Sequence, residues 1–323
     1  MSGRGAGDGL HPVLAEAVTA RLQGPRYSEL TIEEARELSR SRQGAPTRLP
    51  PVFAVGDVSI ESDAGPIPAR LYRPSGKSML PLMVYFHGGA FVMGDLESHD
   101  AILRKVVADC GIMVLSVDYR LAPEHPFPAA IDDAGAALRH VLARAEAMGA
   151  DPAAILVGGD SAGGAIAIAA GRGQPQVAGM VLIYPVTDLS RLGETESYRR
   201  FGSGAVGLSL DDMQWATGLY APDPASRLDW RCSPLRAEPP LDMPPAFVVT
   251  AELDVLRSEG ETFAGLLADN GCQVEHLAVR GVNHGFIAAF GKVPQADSAI
   301  AALADWIDRT CRPETIEPGR VTS

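Results

Sequence analysis

Hydrophobic and polar residues follow two different periodicities along this chain. In residues 10–22 apolar side chains recur every three to four positions, which predicts an amphipathic helix. Thr31-Ile32-Glu33-Glu34 matches a capping box and opens a second helix to about residue 41. After a proline-containing linker at residues 44–51, residues 55–62 and 67–73 alternate between polar and apolar positions, which predicts a β-hairpin.

From residue 81 onwards the apolar positions form continuous runs. A strand that is apolar on both faces is buried on both faces, as in parallel sheets. Helical segments lie between these runs, and this alternation predicts right-handed crossovers and a mostly parallel sheet with helices on both sides. The runs are 82–86, 112–117, 155–157, 180–184 and 246–250, and the helical segments are 98–109, 129–147, 162–171, 258–270 and 296–309.

One interval interrupts the alternation. Residues 188–243 contain no strand-like run and only one helical segment, near 210–220, so we interpret them as an insertion above the sheet that packs with the two N-terminal helices. The predicted organisation is an N-terminal part of a helical cap, a first core part, the cap insertion, a second core part and a flexible tail. Their bounds are 1–50, 51–187, 188–243, 244–311 and 312–323.

Composition and charge narrow the possible partners. The chain has 323 residues and a net charge of −12 without a cluster of basic residues, so we expect no nucleic-acid partner. It shows neither the apolar core of a signal peptide nor a run long enough to span a membrane, so we expect a cytoplasmic protein. The four cysteines are scattered, with no C-x-x-C pair and no histidine at zinc spacing, so we expect no metal and interpret them as structural thiols.

Residues able to do chemistry follow the apolar runs. In a parallel sheet the carboxyl ends of the strands collect functional groups. His87-Gly88-Gly89-Ala90 follows the first run and matches an HGGG-type oxyanion motif, except that Ala90 replaces the third glycine. Gly159-Asp160-Ser161-Ala162-Gly163 follows the third run and has the Gly-x-Ser-x-Gly spacing of a serine on a strained strand-to-helix turn. Alone, this pattern fits a structural turn as well as a nucleophile.

An acid and a histidine complete the pattern further along the chain. Asp254 follows the last run and His284 follows a half-apolar segment, which is the serine, acid, histidine order of α/β-hydrolases. Such a histidine accepts the serine proton, and the carboxylate holds the imidazole in the required tautomer. Taken singly, a histidine in a glycine-flanked loop is more often a local hydrogen-bonding residue, and an aspartate at a strand end is usually a helix cap.

Together these motifs resemble the bacterial hormone-sensitive-lipase-like carboxylesterases of family IV. The resemblance is carried by His87-Gly88-Gly89-Ala90-Phe91, by residues 118–130, by Gly159–Gly164, by Asp254-Val255-Leu256-Arg257 and by Asn283-His284-Gly285-Phe286. It implies an α/β-hydrolase fold with an eight-stranded sheet and a helical cap, and hydrolysis of short acyl esters without a cofactor or metal. It also implies a possible homodimer. The residues implied are the catalytic Ser161, Asp254 and His284, and the oxyanion-hole donors Gly88, Gly89 and Ala162.

The sequence departs from the family at two positions. Ala90 stands where glycine is commonest, which costs stability if this position needs a positive φ. Val255 stands where proline usually follows the acid, and Glu252 is a second candidate for that acid. We expect His87 to order the oxyanion loop, and Arg120 and Glu124 to form an internal ion pair.

The substrate and the class of function stay open at this point. An amidase or a deacetylase would use the same residues, and a non-catalytic ligand-binding protein on this fold is a third hypothesis. Aromatic residues at these spacings belong to a core more often than to a pocket. The candidate pocket residues are Phe91, Asp160, Trp215, Tyr220 and Phe286.

Overall fold

The computed structural model describes residues 9–43, 49–239 and 241–311. In this part of the chain the strands are β1 (Ala54–Ile60), β2 (Ile67–Arg73), β3 (Leu80–Phe86), β4 (Met113–Val117), β5 (Ala150–Asp160), β6 (Val177–Ile183), β7 (Ala246–Leu253) and β8 (Val274–Asn283). They form one sheet in the order β1-β2-β4-β3-β5-β6-β7-β8. The β1/β2 and β2/β4 pairs are antiparallel and the others are parallel. The predicted hairpin and the mostly parallel eight-stranded sheet are confirmed.

Helices cover both faces of this sheet. They are α1 (Pro12–Leu22), α2 (Ile32–Gln43), α3 (Leu96–Cys110), α4 (Ala129–Arg144), α5 (Ala162–Gly171), α6 (Glu196–Phe201), α7 (Leu210–Tyr220), α8 (Arg257–Asp269) and α9 (Pro294–Cys311). The predicted helices agree with these within a few residues. The short α6 was missed because its six residues are too few to show a helical period.

The sheet separates two apolar cores, as its continuous apolar runs predict. Along β3, Leu82 and Val84 face the core beneath α4, α5 and α8, whereas Met83 and Tyr85 face the core beneath α3 and α9. Successive side chains of a strand point to opposite faces, so a strand that lies between two helical layers must be apolar at every position. The central strands β3 and β4 are therefore buried at every position, whereas the outer strands β1 and β8 expose part of their side chains. The loops that follow the central strands carry polar side chains to one edge of the sheet.

The N-terminal segment contacts the insertion, as predicted. Tyr27, in a short 3₁₀ helix before α2, stacks on Trp215 of α7 with ring centroids 5.9 Å apart. Arg21 of α1 forms an ion pair with Asp212 of α7 at 2.6 Å. These contacts join the two pieces of chain that we assign to the cap, whose bounds stay a prediction. The predicted tail at residues 312–323 and most of the predicted linker lie outside the described residues.

The predicted ion pair between Arg120 and Glu124 is wrong. Arg120 instead binds Asp133 of α4 at 2.7 Å, and Glu124 binds Arg36 of α2 at 2.7 Å. Residues four apart face each other only on a helix, and residues 121–128 form turns. Among the described helices, none combines the length and the apolar character that a bilayer crossing requires.

Candidate active site

Ser161 occupies a sharp turn between β5 and α5. Its backbone has φ 55° and ψ −119°, a strained conformation for a residue other than glycine. The turn requires both flanking glycines, because a Cβ on Gly163 would overlap the carbonyl oxygen of Phe86 and a Cβ on Gly159 would overlap the backbone of Gly163. The predicted strand, turn and helix are therefore confirmed.

Three side chains from separate loops meet at this turn. Nε2 of His284 lies 2.9 Å from Oγ of Ser161, and Nδ1 of His284 lies 2.7 Å from Oδ2 of Asp254. Asp254 follows β7 and His284 follows β8, and both strands end at the same edge of the sheet as β5. The structure thus joins the three predicted side chains in one hydrogen-bonded chain.

The surroundings of Asp254 distinguish it from Glu252. Asp254 is 1% exposed, and its Oδ1 accepts the N–H of Leu256 at 3.0 Å, which orients the carboxylate towards His284. Glu252 is exposed, and its carboxylate instead accepts the N–H of Gly281 at 2.8 Å. At Val255, where the family usually has proline, the carbonyl oxygen accepts the hydroxyl of Ser197 at 2.6 Å. This contact with the insertion holds the loop that lacks the proline.

The peptide between His87 and Gly88 is held at both ends. The hydroxyl of Tyr119 donates to the carbonyl oxygen of His87 at 2.7 Å, and the N–H of Gly88 donates to Oδ1 of Asp160 at 2.8 Å. The N–H of Gly88, predicted as an oxyanion donor, is therefore already engaged. Its partner lies far from it in sequence, so spacing alone could not reveal this contact.

The next peptide, between Gly88 and Gly89, is oriented by the ring of His87. Nδ1 of His87 lies 2.8 Å from the carbonyl oxygen of Gly88 and must donate, because a carbonyl only accepts. Burial and the nearby His99 lower the pKa of His87 to about 4, so its ring is neutral near pH 7. A peptide is planar, so this bond points the N–H of Gly89 the opposite way.

Two N–H groups are left for an oxyanion. Within the described part of the chain, no hydrogen bond occupies the N–H of Gly89 or that of Ala162, the first residue of α5. The positive end of the helix dipole of α5 lies at Ala162 and favours negative charge there. We therefore expect Gly89 and Ala162 to form the hole, and His87 to order it as the sequence indicated.

Asp160 supports the loop from below. It accepts hydrogen bonds from Tyr85 and Gly88, and one of its oxygens lies 3.2 Å from Nε2 of His99. Burial alone would raise the pKa of Asp160, but the charge of His99 and these hydrogen bonds lower it to about 2. These contacts favour a supporting role over the predicted place in the pocket. In the region that the structure describes, no group of three or more His, Cys, Asp or Glu residues is placed to hold a metal ion.

The aromatic pocket candidates pack mainly against other aromatic rings. Phe91 and Tyr220 are buried and stacked, with centroids 3.8 Å apart, and Phe286 is buried edge-on against Tyr184. Trp215 stacks on Tyr27, as described above. These contacts favour the core interpretation. The supporting roles of Tyr85, Tyr119 and His99 were not predicted from the sequence, although Tyr119 lies in the motif at residues 118–130.

Ala90 has φ 56°, in the left-handed region. An L-residue there costs about 1–2 kcal/mol, whereas glycine costs about 0.4–1 kcal/mol in chain entropy on folding. We therefore expect Ala90→Gly to raise the free energy of unfolding by about 0.5–1 kcal/mol, measured by urea denaturation. An equal or lower stability of the variant would show that the Ala90 methyl group contributes more by packing than its backbone strain costs.

Glu259 of α8 is a buried carboxyl group that is not part of the hydrogen-bonded chain of Ser161, His284 and Asp254. Its Oε1 accepts the N–H of Thr187 at 2.7 Å. Burial, reinforced by the nearby Asp188 and Asp254, raises the pKa of Glu259 from 4.5 to about 8, although the bond from Thr187 acts in the opposite direction. The folded state therefore holds a proton that the unfolded state has released, so the contribution of Glu259 to the free energy of unfolding falls as the pH rises from about 4.5 to 8.

Replacing Glu259 with glutamine is expected to remove this decline. The variant should gain stability over the parent at about pH 8 but not at about pH 4, where both states carry the proton. Urea denaturation at several pH values measures this difference. Glu261→Gln, at an exposed position of the same helix, is the control and should follow the parent. Parallel curves for Glu259→Gln and the parent would contradict the prediction.

Comparisons with known proteins agree with this geometry. The sequence profile described as the alpha/beta hydrolase fold matches residues 83–288. The chain is 41% identical over 271 residues to the carboxylic ester hydrolase LipN of Mycobacterium tuberculosis. These residues cover 79% of this chain and 71% of LipN. It is 35% identical over 318 residues to an ethyl acetate hydrolase of Pseudomonas putida, with 94% and 93% covered.

Solved structures give the same result. The hyperthermophilic esterase of Pyrobaculum calidifontis superposes with a TM-score of 0.86 at 35% identity, covering 92% of this chain and 97% of that one. The similarity includes both the sheet and most of the sequence outside it. It therefore extends well beyond the motifs around Ser161.

Proposed function

The chain belongs to the α/β-hydrolase fold family and, within it, to the hormone-sensitive-lipase-like carboxylic ester hydrolases, and from this premise we propose that it hydrolyses short-chain acyl esters through an acyl-enzyme on Ser161. The observation that carries the proposal is the hydrogen-bonded chain from Oγ of Ser161 through His284 to Asp254. A serine hydroxyl is a weak nucleophile until a base accepts its proton, and His284 is in position to be that base.

In the first half of the reaction Ser161 attacks the ester carbonyl. As the Oγ–C bond forms, Nε2 of His284 takes the hydroxyl proton, and Asp254 stabilises the resulting imidazolium through Nδ1. The negative charge on the former carbonyl oxygen is stabilised by the N–H groups of Gly89 and Ala162. His284 then gives its proton to the leaving alcohol as the C–O bond breaks, and the acyl group remains on Ser161.

The second half repeats these steps with water. His284 takes a proton from a water molecule, which attacks the acyl carbonyl and forms the second tetrahedral intermediate at the same two N–H groups. The intermediate collapses when the proton passes from His284 to Oγ of Ser161, and the carboxylic acid leaves. Each group therefore returns to its starting protonation state.

The preference for short acyl groups is supported by similarity. A relative that matches nearly the whole chain is named an ethyl acetate hydrolase, and the acyl group of ethyl acetate has two carbons. Deacetylation or amide hydrolysis on the same machinery is the alternative. A homodimer also stays a prediction, and the mass of the protein in solution tests it directly.

Turnover of a series of p-nitrophenyl esters tests the proposal. We expect kcat/KM to be highest for the acetate or butyrate and to fall for longer acyl chains. Hydrolysis of an acyl anilide with no measurable turnover of any ester would favour the amidase alternative. Absence of turnover on all of them would contradict the proposal.

Covalent labelling separates an enzyme from a ligand-binding protein on this fold. A fluorophosphonate reacts with an activated serine, so we expect one label per chain, located at Ser161 by peptide mass spectrometry. Heat-denatured protein is the control, because unfolding separates His284 from the hydroxyl. An unlabelled folded protein would favour the ligand-binding alternative.

A further inference from the structure

We infer that Arg36 of helix α2 is a positioning residue that holds the oxyanion loop, residues 87–95, in the conformation that aims the N–H of Gly89. This inference rests on the proposed function, because it concerns the hole that stabilises the oxyanion. Arg36 precedes the sheet in the chain and touches none of the three triad residues, so it would act only through the loop.

The guanidinium group of Arg36 bridges two loops. Its Nε donates to the carbonyl oxygen of Val92 at 2.9 Å, and its Nη2 donates to the carbonyl oxygen of Ala122 at 3.1 Å. Glu124, whose side chain is about half exposed, binds the group from the other side through contacts of 2.8 and 2.7 Å to Nη1 and Nη2. The planar fork of arginine can make these bonds together, which the single ammonium group of lysine cannot.

The contact with Val92 is linked directly to Gly89. The peptide between Val92 and Met93 donates its N–H to the carbonyl oxygen of Gly89 at 2.8 Å, while its own carbonyl oxygen accepts from Arg36. His87 orients the peptide between Gly88 and Gly89. Arg36 holds the peptide between Val92 and Met93, and the N–H of that peptide holds the carbonyl oxygen of Gly89. Gly89 is therefore held from within the core by His87 and from the N-terminal segment by Arg36.

The loop needs this support because its backbone is strained. Ala90 and Phe91 have φ values of 56° and 65°, so two successive residues other than glycine lie in the left-handed region. This conformation is unfavourable for a residue with a Cβ, so the loop would relax to another conformation if its contacts were lost. The insertion holds the same segment, since Tyr220 stacks on the ring of Phe91. Both pieces of the predicted cap thus hold the strained residues that follow Gly89.

Kinetics of Arg36 variants test the inference. Arg36→Gln removes the fork, and we expect kcat for p-nitrophenyl butyrate to fall about 10- to 100-fold with little change in KM, because the misplaced donor acts mainly in the transition state. Arg36→Lys should give a smaller loss. Glu124→Gln is the matched control: it removes the ion pair but leaves both carbonyl contacts of Arg36, and we expect kcat within about twofold of the parent.

A double variant separates positioning of the loop from general stability. Glycine at position 90 removes the strain at that position, so in the Ala90→Gly background Arg36→Gln should lower kcat only about threefold or less. The same loss of kcat in both backgrounds would overturn the inference. An unchanged kcat in both Arg36→Gln and Arg36→Lys would also overturn it, and Arg36→Lys provides the test if the glutamine variant does not fold.

The parent and Ser161→Ala are measured alongside these variants. If the parent does not hydrolyse esters, or if Ser161→Ala retains the activity, the proposed function fails. If Ser161 is essential but the Arg36 variants behave like the parent, only the positioning role fails. The two failures are therefore distinguishable in one experiment.

Discussion

Replacing Ser161 with alanine is expected to lower kcat for p-nitrophenyl butyrate by at least ~10³-fold. The variant loses the only atom that His284 can activate on this turn, since Oγ lies 2.9 Å from Nε2. The N–H groups of Gly89 and Ala162 remain, so a small activity over the uncatalysed reaction is expected through attack by water. Initial rates measured at substrate saturation give the comparison.

Measurements of stability and of labelling show whether the loss of activity in Ser161→Ala comes from the missing hydroxyl. Ser161 is 7% exposed, and among the described residues its hydroxyl bonds only to His284, so we expect the variant to fold like the parent. It should also lose the fluorophosphonate label. Ser203→Ala, at an exposed position of the insertion, is the control and should keep both the activity and the label. Near-normal turnover by Ser161→Ala would contradict the assignment of the nucleophile.

Replacing Asp254 with asparagine is expected to lower kcat about 10⁴-fold. The N–H of Leu256 requires an oxygen at the Oδ1 position, so the amide oxygen of the new side chain stays there. Its NH₂ group then faces Nδ1 of His284 and donates to it, which places the ring proton on Nε2. In that tautomer Nε2 points a proton at Ser161 and cannot accept one.

Glu252→Gln is the matched control for this prediction. Glu252 is two residues away, is exposed and contacts Gly281 instead of His284, so we expect its variant to retain kcat within about threefold. A large loss in Glu252→Gln together with a small loss in Asp254→Asn would reverse the assignment of the acid. Thermal unfolding of both variants verifies that neither effect comes from a loss of fold.

The sequence was most informative where a local pattern has one physical meaning. Apolar runs without alternation identified buried parallel strands, because only a strand covered on both faces lacks polar positions. Glycines on both sides of Ser161 identified a turn in which chain segments approach too closely for a Cβ. The loops holding Ser161, Asp254 and His284 follow strands of this kind, and the carboxyl ends of parallel strands share one edge, so their meeting could be expected.

Local patterns did not predict which polar groups bind each other. Spacing suggested that Arg120 pairs with Glu124, whereas each of them found a partner on a helix elsewhere in the chain. The family resemblance counted Gly88 among the oxyanion donors, and the departure at Val255 left Glu252 open as the acid. In each case the contact that the structure shows is made with a group distant in sequence.

Sequence alone therefore determined the sheet, the turn at Ser161 and the loops in which Ser161, Asp254 and His284 lie, since these follow from periodicity and from steric limits within a few residues. Tertiary structure decided how the oxyanion loop is held, through pairs such as Gly88 with Asp160, Tyr119 with His87, and Arg36 with Val92. A hydrogen bond depends on the distance and direction between two groups. When dozens of residues separate those groups, only the packing of the elements that carry them sets both.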